Sequence, residues 1–366
     1  MGLAMLSLED KINTFIQNNI DELPAWVVKF FSWPYIAGDS PEKTIHKAEK
    51  LLRDGKHSTI DVLGEFSRSL QNVAEYVNLY NSTFNLIAQM NVRPTASFKP
   101  SCFTPVRTVQ ESRHEKVIIE RTDLELCENN IRAQVRRAKD LGIMVTIDME
   151  DHHWTDFTLN TYFKLREEGF DNVGSVLQAR LFRTAEDVRR FGAGDRVRLC
   201  IGIYNEPPSI AVEPNNKKEM KERLINYLPT LFENDVYVEI ATHDTNLIDR
   251  IFQEVIFPMG IPPERFETQF LLGVQLNRFQ KALISGDYFK RFRSSGFDNS
   301  LVEEYIEKGV KVRIYLPFAQ SWDDALPYCR RRIKANPNIA RYGIKNFLRR
   351  PEVMPRIIYE MLKERK

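Results

Sequence analysis

The alternation of apolar and polar residues changes character near residue 95. Before it, apolar positions recur at helical spacing: Ser40-Pro41-Glu42 supplies a start for a segment running to about Arg53, and a second runs from Leu63 to about Met90. No strand pattern is visible there. From Ala96 onward, short β-rich runs are separated by longer amphipathic stretches. The runs are SFKPSC at 97–102, IMVTIDM at 143–149, GSVLQA at 174–179, RVRLCIGIY at 196–204, VYVEIAT at 236–242, TQFLLGV at 268–274 and VKVRIYL at 310–316, with a weaker eighth near Asn338 to Ile344. Helical patterns such as Leu126 to Leu141, Lys217 to Phe232 and Leu247 to Phe257 lie between them. Such an order belongs to parallel βαβ units, and it closes most economically as an α/β (β/α)₈ TIM-like barrel preceded by an N-terminal helical segment. The expected division is a helical segment over 1–95, the barrel over 96–350 and a helical tail over 351–366. An open doubly wound sheet is the alternative. It lacks support because no GxGxxG turn follows a strand, and Gly192-Ala193-Gly194 precedes one instead.

Charge and cysteine content narrow the function classes. Lysine and arginine number 52 against 50 acidic residues, so the net charge of +2 gives no broad reason to expect nucleic acid as a partner. Cys102, Cys127, Cys200 and Cys329 are scattered without a CxxC pair, which fits a reducing compartment. No apolar run approaches the roughly 18 to 20 uncharged residues of a membrane span, and Glu9 and Asp10 come too early for a signal peptide. A cytoplasmic protein is expected. The apolar cluster of Trp26, Val27, Val28, Phe30, Phe31, Trp33 and Tyr35 around Lys29 suits either a membrane surface or packing onto the body, and packing is the commoner fate.

Barrels of this kind place their chemistry at the C-terminal ends of the strands. Polar residues there are Lys99, Asp148 with Glu150, Gln178 with Arg180, Arg198 with Tyr204, His243 with Asp244, Gln269 and Tyr315. Desolvating so many polar groups around one mouth is costly unless a ligand satisfies them, which favours a binding site. Lys99 either points into the mouth as a charge for an anion or sits just outside the strand. Asp148, Glu150, Asp151, His152 and His153 are metal-capable residues, but adjacent histidines on a strand point to opposite sides and no convergent spacing is present, so no metal is expected. No GxSxG elbow appears. The strongest constellation is Tyr328-Cys329-Arg330-Arg331-Arg332, where helical spacing brings Arg331 and Arg332 to the face of Tyr328. Two guanidiniums at one mouth suit a carboxylate; the bland alternative is a solvated basic helix face.

Beyond these local patterns, VRIYLPFAQSW followed by YCRRRIKANPN resembles the C-terminal signature of proline dehydrogenases, the flavin-dependent first enzymes of proline breakdown. TIDVLGE at 59–65, ASFKPS at 96–101, TIDMED at 146–151, SVLQARL at 175–181, RLCIGIYNEP at 198–207, ATHD at 241–244 and FETQFLLGV at 266–274 agree with the family's blocks in the same order. The resemblance implies FAD as cofactor and oxidation of L-proline to 1-pyrroline-5-carboxylate by hydride transfer from C5 to flavin N5. It implies electrons passed to a quinone, with peripheral contact at the inner membrane face, and a separate pyrroline-5-carboxylate dehydrogenase downstream. It further implies that Arg331, Arg332 and Lys99 hold the proline carboxylate, that Tyr315 and Leu271 pack against the ring, and that Glu65 pairs with the arginine helix to close the site. On the flavin side it implies Arg198 near N5, Gln178 and His243 against the flavin, and Asp148, Tyr204 and Gln269 in support.

The chain departs from the pattern in places. Ile201 stands where the family has Lys in its RLVKGAY block, Ala335 where a Glu follows the arginines, Arg180 where an aromatic is expected and Ala319 where a Gly follows Pro-Phe, with about three extra residues before Tyr328. Two other readings remain: flavin oxidation of hydroxyproline or another cyclic imino acid, and a non-catalytic barrel that binds a ligand. The Tyr at position 315 fits the proline type.

Overall fold

A computed structural model describes residues 20, 22–90, 93–111, 114–118 and 121–335. In chain order its helices are α1 (Ala25–Ser32), α2 (Pro41–Arg53), α3 (Leu70–Ala88), α4 (Arg121–Asp140), α5 (His152–Glu167), α6 (Thr184–Asp187), α7 (Lys217–Glu233), α8 (Thr245–Ile251), α9 (Asn277–Ile284), α10 (Asn299–Lys308) and α11 (Trp322–Ala335). Its strands are β1 (His57–Val62), β2 (Thr95–Phe98), β3 (Arg107–Glu111), β4 (His114–Ile118), β5 (Val145–Ile147), β6 (Val173–Gln178), β7 (Arg196–Cys200), β8 (Tyr237–Ala241), β9 (Phe266–Leu271) and β10 (Val312–Phe318). Eight of them close into a parallel barrel in the order β1-β10-β9-β8-β7-β6-β5-β2, and β3 pairs with β4 as a separate antiparallel hairpin. The expected eight-stranded barrel is present.

Its membership corrects one expectation. The segment read as purely helical contributes β1, which pairs with both β10 and β2 and closes the ring. The physical reason lies in its composition. Only Ile60 and Val62 of HSTIDV carry a hydrophobic signal toward the surrounding core, whereas Thr59 shares a 2.7 Å hydrogen bond with Thr95 and Asp61 pairs with Lys99. The ring is complete without the weak run at 338–344, which lies outside the described residues, as does the expected tail at 351–366.

The remaining strands show why they were legible. In β10, Val312, Ile314 and Leu316 join the core between barrel and helices, and the alternate residues Arg313 and Tyr315 form their hydrogen bonds inside the ring, with Glu267 of β9 and with Asp148 just after β5. Helix starts follow capping rules: Ser40 accepts from the backbone N–H of Lys43 at the head of α2, and Ser69 does so from Asn72 at the head of α3.

The interior of the barrel is charged. Arg313 Nη2 meets Glu267 Oε2 at 3.0 Å, Arg196 Nη1 meets Glu239 Oε1 at 2.8 Å, and the Gln269 amide donates to Glu239 at 2.7 Å and to Glu267 at 2.8 Å. The apolar cluster near the N-terminus packs inward: Val28 and Tyr35 join Tyr328, Cys329 and Ile333 of α11, Trp33 stacks on Trp322 with ring centroids 5.7 Å apart, and Arg330 donates to the Leu23 carbonyl at 2.8 Å. Trp26 remains partly exposed. No described helix is long and apolar enough to cross a membrane.

Burial alone would raise the Glu267 carboxyl, but the Arg313 guanidinium overrides it and holds the group far below the usual carboxylate range. Its charge therefore stabilises the fold at pH values above the ordinary carboxylate pKa, and this contribution fades as acid protonates the group. Replacing Glu267 by Gln strands Arg313, and the loss expected at neutral pH is about 3 kcal/mol. In denaturant titrations the gap between variant and parent should narrow as the pH is lowered below about 4.5; a gap that stays constant into acid would contradict the ion pair.

Candidate active site

At the C-terminal rim, four strands converge on one carboxylate. Asp148, just after β5, is fixed by a 2.9 Å hydrogen bond from its N–H to the Phe98 carbonyl. Its Oδ1 accepts from Arg198 Nη1 of β7 at 2.6 Å, and its Oδ2 accepts from the Tyr315 hydroxyl of β10 at 2.6 Å. Ser97 of β2 donates to the same hydroxyl at 3.2 Å. The Arg198 guanidinium lies over the Tyr315 ring, 5.2 Å from its centroid, and its Nε lies 3.4 Å from Glu239. Three groups expected at the site are thereby locked into one network.

Lys99 points inward, but its charge is already met. Its Nζ lies 2.9 Å from Asp61 Oδ2 and 3.7 Å from Asp148. Burial pushes the Asp61 carboxyl up to about 6 while Lys99 pulls against it, so the pair is ionised at neutral pH. Asp61 went unnoticed in the sequence because its strand did.

Above this layer stands α11. Arg331 donates to Glu65 and its guanidinium lies 5.1 Å from the Tyr204 ring centroid. Arg332 lies 5.1 Å from the Tyr328 ring centroid, its Nε has no partner, and the groups raising its pKa against burial are the phenols of Tyr328, Tyr315 and Tyr204 and the Cys200 thiol. Among the described residues no carboxylate pairs with it. Leu271, at the end of β9, packs partly buried against the cluster that holds Tyr328 and Ala319.

A second group of residues forms a cradle beside Arg198. Gln178 donates to the Glu150 carbonyl at 2.8 Å, leaving its Oε1 buried without a partner. His243 Nδ1 and Arg198 Nη2 are likewise unpartnered. Burial and the Arg332 charge push His243 down to about 3, so the ring is neutral. Gly202, at φ +98, faces Gln178: a Cβ there would come within 2.5 Å of Oε1. Glu150 is fully buried with both oxygens against Ser101, and burial with the Glu65 charge pushes its carboxyl up to about 8.

Other candidates lie elsewhere. Gln269 sits deeper, committed to Glu239 and Glu267. Arg180 turns to the Tyr204 and Val212 carbonyls, at 2.5 and 2.9 Å, and clasps the loop after β7. Asp244 caps α8. His152 and His153 are not strand residues facing apart: they open α5 with ring centroids 3.9 Å apart, and His152 Nδ1 lies 2.6 Å from Glu206 and His153 Nδ1 3.3 Å from Asp151. A helix start places successive side chains about 100° apart, which lets these two rings meet.

The model of the family described as proline dehydrogenase matches residues 44–193. Proline dehydrogenase of Deinococcus radiodurans is 28% identical over 322 residues, covering 86% of this chain and 89% of that protein. Proline dehydrogenase 1 of Bacillus subtilis strain 168 is 27% identical over 317 residues, covering 86% and 90%. The chain is thus similar to proline dehydrogenases over most of its length. Among solved structures, proline utilization A from Bdellovibrio bacteriovorus, inactivated by N-propargylglycine, matches with a TM-score of 0.67 at 19% identity over 90% of this chain. The chain spans about a third of that protein's length, and the likeness carries the barrel fold.

The two arginines of α11 differ in a way stability can read. Arg331→Met leaves Glu65, whose side chain is 5% exposed, without its cation, and should cost about 3 kcal/mol. Arg332→Met removes a buried guanidinium that no described carboxylate pairs with and should add about 1 kcal/mol. Thermal unfolding without added ligand checks the opposite signs; equal losses would mean that Arg332 has an anionic partner.

Proposed function

We propose that this chain is an oxidoreductase acting on a CH–NH bond, oxidising L-proline to 1-pyrroline-5-carboxylate as the first step of proline catabolism, with FAD as its resident cofactor. The observation that carries the reading is the Arg332 guanidinium, set at the rim beside Tyr315, for which the described residues offer no carboxylate. Charge counting agrees: Arg331, Arg332 and Lys99 face Glu65 and Asp61, leaving one positive charge for one substrate carboxylate. Each charge-assisted hydrogen bond to that carboxylate contributes about 1.5 to 3 kcal/mol.

The residues present also fit a flavin. Gln178 Oε1, His243 Nδ1 and Arg198 Nη2 are buried polar atoms awaiting partners, and Gly202 keeps open the space beside Gln178. Bound there, FAD would accept the hydride leaving proline C5 as the ring nitrogen gives up a proton. Arg198, steadied by Asp148 and Glu239, holds a positive charge where electron density would gather. Asp148 and Ser97 hold the Tyr315 hydroxyl, so the phenol ring can form a wall against the substrate with Leu271, its register partner on β9, beside it. Arg331, Arg332 and Lys99 orient the carboxylate, Glu65 draws Arg331 over the site, and Tyr204 underlies that arginine.

The same reading takes the catalytic unit as the barrel with α11, and takes electrons onward to a quinone during peripheral contact with the inner membrane face. A separate pyrroline-5-carboxylate dehydrogenase consumes the product of this cytoplasmic enzyme. Family resemblance supports these steps, and Trp26 is an exposed aromatic suited to the membrane contact. The buried Tyr315 hydroxyl favours proline over hydroxyproline, because no room for a ring hydroxyl is made at that position.

Anaerobic titration of the flavin spectrum tests the function. L-Proline should bleach the flavin and trans-4-hydroxyproline should do so far less; a colourless protein that takes up no FAD would favour a ligand-binding barrel. In steady-state assays Arg331→Met and Arg332→Met should each raise KM for proline roughly tenfold to hundredfold with flavin content kept, and unchanged KM in both would remove the clamp. Arg198→Met should slow flavin reduction at saturating proline; reduction at the parental rate would separate Arg198 from the reacting atoms.

A further inference from the structure

The Glu65–Arg331 pair depends on an unusual backbone. Phe66, directly after Glu65, has φ +55, a left-handed conformation that a side chain of this size rarely adopts. Something must hold it there. The Phe66 N–H donates to Ser101 Oγ at 3.0 Å, and the Ser67 N–H donates to the Ser101 carbonyl at 3.0 Å. Ser101 is itself pinned by Glu150: its Oγ shares a 2.6 Å hydrogen bond with Oε1, and its N–H donates to Oε2 at 2.9 Å. Ser101 and Glu150 are both fully buried. On either side, Ser67 Oγ donates to the Cys102 carbonyl at 2.9 Å and the Cys102 thiol donates to the Gly64 carbonyl at 2.9 Å, so the turn carrying Glu65 is fastened to the turn after β2.

We infer that Ser101 and Glu150 are positioning residues of the arginine clamp: they hold Phe66 left-handed, and that turn aims Glu65 at Arg331. Neither touches the substrate. The inference rests on the proposed clamp, but the conformation of residue 66 can be read without any turnover.

Four variants test it. Ser101→Ala should raise KM for proline roughly tenfold while kcat stays within about twofold of the parent. Phe66→Gly, introduced into Ser101→Ala, should return KM to near the parental value, because glycine adopts positive φ without the serine. Glu150→Gln retains an acceptor and a donor toward Ser101 and should behave as the parent, whereas Glu150→Ala should match Ser101→Ala and replaces it if that variant does not fold. Crystal structures of the FAD-loaded variants supply the second readout: in Ser101→Ala residue 66 leaves positive φ and Glu65 withdraws from Arg331, and in the double variant both return. Residue 66 still left-handed with the ion pair intact in Ser101→Ala, or no recovery with Phe66→Gly, overturns the inference. A parent inert toward proline whose variants show these structural changes instead overturns the proposed function and leaves the relay standing.

Discussion

Burying a charged group costs several kcal/mol unless an opposite charge meets it, and the barrel interior holds Arg196, Arg198, Arg313 and Lys99. Each has its carboxylate: Glu239, Asp148, Glu267 and Asp61. Each pair joins two different strands of the ring, so strand register and charge compensation specify one another. A one-residue slip in any strand would turn its charge toward the apolar layer between barrel and helices. The polar interior also fixes side-chain positions more tightly than an oily filling would, and Tyr315 and Arg198 inherit that order through Asp148.

The rim breaks the rule that the interior keeps. Arg332 arrives on a helix where the described residues offer it no carboxylate, and Arg331 pairs with Glu65. Helix α11 is kept in place by groups remote from the chemistry: Arg330 reaches the Leu23 carbonyl, and Trp322 stacks with Trp33. Packing energy from α1 thus holds a charged helix face where electrostatics alone would turn it to solvent. A site built this way is primed for an anion, and binding a carboxylate completes the charge balance that the lower layers already have.

Much of this was legible along the chain, for identifiable reasons. Seven barrel strands could be read because their outward faces are apolar, with Val, Ile and Leu in β10 and Phe in β9. The eighth, β1, could not, because Thr59 and Asp61 serve the interior and leave only Ile60 and Val62 as signal. Losing that strand also hid Asp61, the partner of Lys99. The sequence places polar residues near the strand ends but does not separate depth from rim: Gln269 joins the interior pairs and Arg180 the loop carbonyls. The left-handed Phe66 has no sequence signature, since Gly and Asn are the residues that announce such a turn.

In the proposed site the guanidiniums of α11 and the Tyr315 wall grip one small carboxylic acid between them. The most direct measurement is a crystal structure of the FAD-loaded protein with cyclopentanecarboxylate, which keeps proline's ring size and carboxylate but has no nitrogen to oxidise. The carboxylate should lie between Arg331 and Arg332, with its ring against Tyr315. A ligand bound elsewhere, with both arginines turned outward to solvent, would contradict it.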